Sequence, residues 1–244
     1  MILELSAVAA RRFILGRQGL WPGRRWRGPE GTEAAMRAVE HLQLDPLVVL
    51  ARAHDLLLHS RVLDYQPGDW MDPTYGQRNF FDWGGWLAVR PMEELPHWRV
   101  VMRRAMADPG WREHAQAHGP AIREMRAVLA DRGTVSNRDF SMAERRRTVS
   151  YRGRKDSALA LYYLWHKGEV MIHHRERFER VYALTETVAP PALIRESAER
   201  EADEHLLRKS VAFLGLSRLN KQHGVLDGPV GGADVRGWKA EQLE

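Results

Sequence analysis

The sequence predicts a mainly α-helical fold with short β-hairpin wings, arranged as tandem winged helix-turn-helix units. Apolar residues recur at helical spacing in several segments that begin at Ser or Thr and end at Gly. One series of such segments ends in two short alternating stretches, which favours a helix, short helix, helix and hairpin in that order. With 244 residues, 44% of them hydrophobic, the chain can form one large core or two smaller ones.

The first part of the chain contains three predicted helices. Ser6 is the expected N-cap of the first and Gly19 its stop, and Thr32 is the expected cap of the second. The predicted helices cover residues 5–18, 32–41 and 47–63. The stretch from Asp64 to Gly85 is dense in Gly, Pro, Asp and aromatic residues, and this composition predicts a functional loop, with Trp70, Tyr75, Trp83 and Trp86 as either core or base-stacking residues.

The second part carries the pattern of a winged helix. An amphipathic run covers 98–106. Helices are predicted over 121–132, ending at Gly133, and over 157–166, ending at Gly168, with a short helical turn at Thr134 and Ser136 between them. Strands over 169–174 and 180–184 form the wing. A long charged helix over 193–214 follows, and a last helix begins near Val235. We expect domains at 1–110, 111–191 and 192–244, the third being cut short.

Several classes of protein are excluded by composition. No apolar run approaches the roughly 18 residues that span a bilayer, and the N-terminus lacks a signal peptide. The absence of cysteine removes disulfides, thiolate metal sites and cysteine nucleophiles. We therefore expect a cytoplasmic protein without a membrane anchor, metal or cofactor.

Basic residues are clustered along the chain. The net charge is only +5, yet residues 11–27 hold six arginines and residues 145–155 hold six basic residues, with no acid in either stretch. Only five of the 37 basic residues are lysine, and arginine suits bidentate contacts with phosphate. A GC-rich genome also favours arginine over lysine, but it does not explain the clustering. Nucleic acid is the expected partner.

The candidate catalytic residues are Gln43 and Asp45. In an extended segment Leu42 and Leu44 point to one side while Gln43 and Asp45 point to the other. Because Asp45 precedes Pro46, a purely structural role as a helix N-cap is the simplest interpretation from local pattern. The alternative is an ionised carboxylate beside an amide, which orients a water and stabilises a cationic, sugar-like transition state.

This segment resembles a known family. The string AVEHLQLDPLVVLARAHDLLLHSRVLDYQP is similar to the signature of the bacterial crosslink-repair DNA glycosylases, the YcaQ and AlkZ family of winged helix proteins. Further stretches with family resemblance are LSAVAARRFILGRQGL, WGGWLAVRPMEELPHWRVVMRR and ALALYYLWHKGEVMIHHRERFERVYALTE. The triplet Gln43-Leu44-Asp45 is typical of the YcaQ-like branch.

The resemblance implies an enzyme that excises N7-alkylated purines and unhooks interstrand crosslinks. Because lysines are few and none lies near the triplet, we expect a monofunctional enzyme without Schiff-base lyase chemistry. Asp45 would be the catalytic carboxylate and Gln43 would hold the water or the deoxyribose. The implied partner is double-stranded DNA with alkylated bases or crosslinks, bound by a monomer at the bacterial nucleoid. The expected DNA-binding residues are Arg52, His54, Arg145, Arg146, Arg147, Arg152, Arg154, Lys155, His173, His174, Arg175 and Arg177.

Two departures from the family pattern leave other functions open. Gly85 stands where the family often has histidine, and the rest of a third winged helix is missing. A non-catalytic winged helix protein, such as a transcription regulator, is the main alternative, because this fold serves both roles. An inactive fragment is a further one. Metal binding by His173 and His174 is disfavoured, because adjacent strand residues point to opposite faces.

Overall fold

The fold is mostly helical with small sheets. The computed structural model describes residues 4–84, 87–140, 145–146, 154–216, 237–238 and 241, and for 145–146 and 154–155 the backbone alone. In chain order the elements are α1 (Ala7–Arg17), β1 (Trp26–Arg27), α2 (Gly28–Ala38), β2 (Leu42–Gln43), α3 (Ala53–His59), β3 (Val62–Leu63), β4 (Phe80–Trp83), β5 (Ala88–Pro91), α4 (Leu95–Met106), α5 (Pro109–Ala117), α6 (Gly119–Arg132), β6 (Thr134–Ser136), β7 (Arg145–Arg146), β8 (Arg154–Lys155), α7 (Asp156–Lys167), β9 (Val170–Glu176), β10 (Glu179–Leu184), α8 (Thr185–Val188) and α9 (Glu199–Leu214).

The chain forms two compact units. The first contains Met1–Phe80, Gly84–Pro91 and Ala198–Glu244, and the second contains Phe81–Trp83 and Met92–Ser197. These boundaries differ from the three consecutive domains expected from the sequence, because α9 clusters with the N-terminal elements. Among the described residues no helix is both long enough and apolar enough to cross a bilayer.

The first unit is built on short strand pairs between helices. Strand β1 pairs with β3 in parallel, and β2 pairs with β5 antiparallel, with Leu42 opposite Val89. Ser6 caps α1 as predicted, since its Oγ accepts a hydrogen bond from Ala9 N at 3.2 Å. Thr32 does not cap α2, which begins four residues earlier. It is buried within the helix, and its hydroxyl donates to the Gly28 carbonyl at 3.1 Å.

The third predicted helix is much shorter than expected. Only Ala53–His59 is helical, and residues 46–52 form an irregular loop. The apolar residues of this loop face solvent, so their helical spacing does not correspond to a packed face. The aromatic residues Trp70, Tyr75 and Trp83, which the sequence left open as core or stacking residues, are buried at 8% exposure or less. Trp86 and Gly85 lie outside the described residues.

The second unit contains the predicted wing. Strands β9 and β10 form an antiparallel hairpin, and β6 pairs with the outer side of β10, giving the strand order β6-β10-β9. Thr134 is therefore in a strand and not in the predicted helical turn. Ser136 does start a short 3-10 helix, Asn137–Asp139, through a capping box with Asp139. The tandem arrangement of winged helices stays a prediction.

Glycines end two helices of the second unit as predicted. Gly133, after α6, has a φ of +77°, and Gly168, after α7, has a φ of +74°. A Cβ at Gly168 would lie 2.5 Å from Met102 Sδ, so a larger residue here would also require the Met102 side chain to move. Helix α5, which the sequence patterns did not predict, lies between α4 and α6 and contains no buried residue.

Candidate active site

The Gln43-Leu44-Asp45 triplet lies at the end of β2 in the first unit. Leu42 and Leu44 are each 1% exposed, whereas Gln43 is exposed and Asp45 is half-buried. Pairing with β5 keeps this segment extended, and Leu44 N continues the pairing by donating to Leu87 O at 2.8 Å. The predicted alternation is therefore present, with two leucines in the core and two polar side chains turned outward.

The Asp45 side chain does not cap a helix. Its Oδ1 accepts a hydrogen bond from Leu47 N at 2.9 Å, two residues ahead, which is the geometry of an Asx-turn. Within the described residues neither the second carboxylate oxygen nor the Gln43 amide makes a hydrogen bond. Both groups are therefore available to a bound molecule.

The main chain of Asp45 is held by His54, on the first turn of α3. Asp45 N donates to His54 Nδ1 at 3.3 Å, so the proton of a neutral His54 ring resides on Nε2. His54 Nε2 lies 3.9 Å from Asp55 Oδ2, and the His54 ring packs edge-on against Trp70 with centroids 5.1 Å apart. A buried imidazole in fixed orientation thus holds the backbone of the residue that carries the candidate carboxylate.

Asp55 extends this support to the following loop. Its Oδ1 accepts hydrogen bonds from the Tyr65 hydroxyl at 2.7 Å and from Gly68 N at 3.1 Å. Burial, the hydrogen bond to Asp55 and its negative charge raise the pKa of Tyr65, so the phenol keeps its proton at all physiological pH values. The network from Asp45 to Tyr65 was not predicted. Its sequence signal is the His-Asp pair nine residues after the triplet.

His54 was predicted to contact DNA, and its placement argues for another role. At 1% exposure it is covered by protein, and a covered imidazole cannot reach a phosphate or a base without rearrangement. Arg52, the residue before α3, is half-buried. Arg52 therefore stays a candidate for DNA contact, whereas the His54 ring accepts the hydrogen bond from Asp45 N.

Arg175, on β9 in the second unit, is likewise buried. Its side chain is 4% exposed, its Nε donates to Asp82 Oδ2 at 3.0 Å, and its Nη1 donates to Phe178 O at 3.0 Å. The guanidinium also lies 4.7 Å from the Phe178 ring. The expectation of a DNA contact therefore does not fit Arg175, since its donors hold the hairpin turn together.

The wing presents Arg177 to solvent. Arg177 and Phe178 form the two-residue turn between β9 and β10, with φ values of +49° and +71°. Positive φ at both positions matches a type I′ turn, whose twist suits a tight hairpin. Arg177 is exposed at this tip, and its contact with DNA stays a prediction.

His173 and His174 lie side by side on the wing. Their Nδ1 atoms are 2.8 Å apart, because the register of the hairpin shifts between Val181 and Tyr182 and leaves an extra residue on β9. The expected separation to opposite faces is therefore wrong for this pair. Among the described residues no group of three or more His, Cys, Asp or Glu is suited to a metal ion.

The basic stretch from Arg145 to Lys155 includes a second hairpin. Strands β7 and β8 are antiparallel, with Arg145 opposite Lys155 and Arg146 opposite Arg154. Arg147 and Arg152, also predicted to bind DNA, lie outside the described residues. In the first unit the other basic cluster is largely at the surface, where the exposed arginines are Arg11, Arg12, Arg24, Arg25 and Arg27.

Comparison with known proteins identifies the family. The model of the family described as "DNA glycosylase AlkZ-like" matches residues 36–238, most of the chain. The chain belongs to the AlkZ-like DNA glycosylase family. The match includes the triplet, the irregular loop of residues 46–52 and the wing.

A solved structure agrees with this assignment. The fold of this AlkZ-like chain is similar to that of the Streptomyces sahachiroi DNA glycosylase AlkZ, with a TM-score of 0.67 and 13% sequence identity. The similarity covers 98% of this chain and 66% of that protein, so the chain spans slightly less than two-thirds of its length. At this identity the similarity shows a shared fold.

Proposed function

We propose that this chain is a monofunctional DNA glycosylase, an N-glycosyl hydrolase that excises N7-alkylated purines from duplex DNA and unhooks interstrand crosslinks through the same bond. The observation that carries the proposal is the placement of the Gln43 amide and the Asp45 carboxylate on the outward side of a strand whose other side is buried. Membership of the AlkZ-like family and the arginine-rich surface support it.

The proposed reaction is hydrolysis at C1′ of the deoxyribose. Alkylation at N7 gives the purine a positive charge, so the base leaves without strong acid catalysis. Gln43 orients the attacking water or the sugar, and Asp45 accepts the water proton as the oxygen bonds to C1′. The C1′–N9 bond breaks, its electron pair neutralises the purine, and the carboxylate offsets the oxocarbenium charge of the transition state. The products are the free alkylated base and an abasic site.

The anchoring of Asp45 fits this role. Its backbone N–H is bound to His54 and its Oδ1 to Leu47 N, so one carboxylate oxygen fixes the rotamer. The other carboxylate oxygen, Oδ2, is left to accept a hydrogen bond from the attacking water. Preorganisation of this kind lets a carboxylate act on a developing charge without first reorganising.

The lysine content supports hydrolysis and not lyase chemistry. A lyase needs an accessible amine that forms a Schiff base with the sugar. Among the described residues of the first unit the one lysine is Lys209, whose side chain is 3% exposed and forms an ion pair with Glu40 at 3.1 Å. The described lysine of this unit is therefore held in an ion pair, which supports hydrolysis, and we propose that borohydride traps no complex with DNA.

The test is release of 7-methylguanine from a labelled duplex, followed by alkaline cleavage at the abasic site. We expect excision by the wild-type chain and a loss of about 100-fold or more in Asp45→Asn, because the general base is removed. The asparagine oxygen still accepts from Leu47 N, so the turn is kept. Asp131→Asn, at an exposed position of α6, is the matched control.

Binding measurements separate this function from a regulatory one. We expect Asp45→Asn to bind the duplex as the wild type does. Excision by Asp45→Asn at the wild-type rate would contradict the catalytic assignment. Binding without excision by the wild type, on both 7-methylguanine and nitrogen-mustard crosslinks, would leave a non-catalytic DNA-binding protein. A parallel pair, Gln43→Ala against the exposed Gln116→Ala on α5, tests the amide in the same assay.

A further inference from the structure

Four consecutive apolar side chains next to Asp45 face solvent. The exposed fractions are 73% for Leu47, 58% for Val48, 92% for Val49 and 91% for Leu50. We call residues 47–50 the apolar loop. Apolar residues exposed singly are ordinary, but a contiguous run of this length on a protein surface marks a contact site.

The apolar loop is attached to the candidate active site at both ends. At its start Leu47 N is bound to Asp45 Oδ1, and at its end the chain enters α3, where His54 and Leu58 are buried. His54 in turn accepts the hydrogen bond of Asp45 N. The two ends of the apolar loop are therefore held by the same contacts that hold Asp45. The two β-branched valines of the loop have restricted side-chain rotamers.

The chemistry of the apolar loop indicates which part of a DNA duplex it can contact. Its four side chains have no charge and no hydrogen-bonding group, so they offer nothing to phosphates or to the polar edges of the grooves. Apart from the thymine methyl groups in the major groove, the large apolar surface of a duplex is the face of each base pair, which becomes accessible only where the stack is parted. Leucine, isoleucine, phenylalanine and methionine wedges part base steps in this manner in other DNA-binding proteins.

We propose that the apolar loop inserts into the base stack beside the damaged nucleotide and opens it, so that C1′ reaches Asp45 and its water. This inference rests on the proposed function, because it assumes that Asp45 acts on duplex DNA. Insertion by Val49 and Leu50, the two most exposed residues, separates the target base from its neighbour. A target base that is already unstacked or mismatched depends less on insertion of the loop.

The first test compares Val49→Ser/Leu50→Ser with the wild type in single-turnover excision of 7-methylguanine. We expect excision from a fully paired duplex to slow at least 10-fold, and excision from a duplex with the lesion opposite a gap to change less than 3-fold. Leu5→Ser/Val8→Ser is the matched control, since these side chains are 49% and 53% exposed at the start of the chain. Equal rates of loop variant and wild type on the paired duplex would overturn the proposal.

The second test reads stacking without catalysis. In the Asp45→Asn background, binding to a duplex with 2-aminopurine beside an abasic-site analogue should raise the fluorescence, and the Val49→Ser/Leu50→Ser change should abolish the rise. If the fluorescence does not rise although the wild type excises 7-methylguanine, insertion alone is overturned. If it rises although the wild type does not excise 7-methylguanine, the proposed function alone is overturned. The loop could instead bind a second copy of the chain or a lipid surface, which dimerisation and binding to phosphatidylglycerol vesicles would report. If Val49→Ser/Leu50→Ser abolishes either of these and leaves the 2-aminopurine signal unchanged, the loop has another partner and the proposal is overturned.

Discussion

The backbone N–H of Asp45 donates a hydrogen bond to Nδ1 of the buried His54, nine residues ahead, over 3.3 Å. This bond joins the end of β2 to the first turn of α3 across an irregular loop. The loop itself has little other support, because its side chains at 47–50 are exposed. The position of the candidate carboxylate therefore depends on an imidazole that never reaches solvent.

Replacing His54 should impair excision through the position of Asp45. We expect His54→Ala to lower kcat about 10-fold or more with little change in KM, because the ring is 1% exposed and out of reach of a molecule bound at the surface. His54→Gln, whose Oε1 accepts from Asp45 N, should recover part of that loss. His59→Ala, on the exposed end of α3, is the control. An increase in KM with unchanged kcat would instead indicate direct DNA contact.

The buried ion pair between Arg175 and Asp82 should matter for stability. Arg175→Met removes the cation that faces the Asp82 carboxylate, whose side chain is 0% exposed, and we expect it to lower the free energy of unfolding by about 3 kcal/mol or more. The double variant Arg175→Met/Asp82→Asn should recover at least half of the lost free energy of unfolding, measured by urea denaturation. Arg138→Met breaks an exposed pair with Glu179 and should cost about 1 kcal/mol or less. Equal losses in the two arginine variants would show that burial does not set the cost of breaking these pairs.

Acid should destabilise the second unit through His166. Burial and the nearby Arg180 lower the pKa of His166 from its ordinary value of 6.5 to about 4. The unfolded chain therefore takes up this proton first, so the stability is fully present above pH 6.5 and is lost as the pH falls toward 4. The loss from this group is about 3 kcal/mol. His166→Asn should flatten the curve of unfolding free energy between pH 6.5 and 4, and an unchanged slope would contradict the assignment.

His41 should add a similar acid sensitivity in the first unit. Burial, with the charges of Arg90 and Lys209, lowers the pKa of His41 to about 3. Protonation is again unfavourable in the folded state, so the stability that this group contributes declines from pH 6.5 downward. His41→Asn should reduce the pH dependence of hydrogen exchange in α2 and α9, while His59→Asn, at an exposed site, should leave it unchanged.

Arg177 at the tip of the wing should contribute one phosphate contact. We expect Arg177→Gly to weaken duplex binding several-fold at low salt and to reduce the slope of log K against log salt by about 0.9. Glycine accepts the positive φ of this turn, so the hairpin is kept. Arg200→Ala removes the same charge from a residue paired with Glu204 and should leave the slope unchanged.

Local patterns predicted a good part of the fold. The Ser6 cap, the glycine stops at Gly133 and Gly168, and the β9–β10 hairpin all agree with the sequence-based expectations, because caps and tight turns depend on neighbours a few residues apart. The alternation at 42–45 was predictable for the same reason. The family was recognisable from the triplet and the stretches around it.

Other features depended on partners far along the chain. The apolar residues at 47–50 have helical spacing, yet Asp45 bonds two residues ahead and forms a turn in which no helix begins. Thr134 is in a strand because β10, much later in the sequence, pairs with it, whereas Ser136 at the end of that strand caps the short helix as expected. Arg175 was expected at the DNA surface, and a carboxylate 93 residues away in sequence holds it in the interior.

The sequence by itself determined that Gln43 and Asp45 share one side of an extended segment, that arginine is concentrated in two clusters, and that the chain has the AlkZ-like signature. Only the tertiary structure decided which side chains reach solvent: it buried His54 and Arg175 and exposed the apolar loop. The physical reason is that periodicity fixes the relative direction of neighbouring side chains, whereas burial is set by long-range packing and by the pairing of polar groups that must be satisfied in the core.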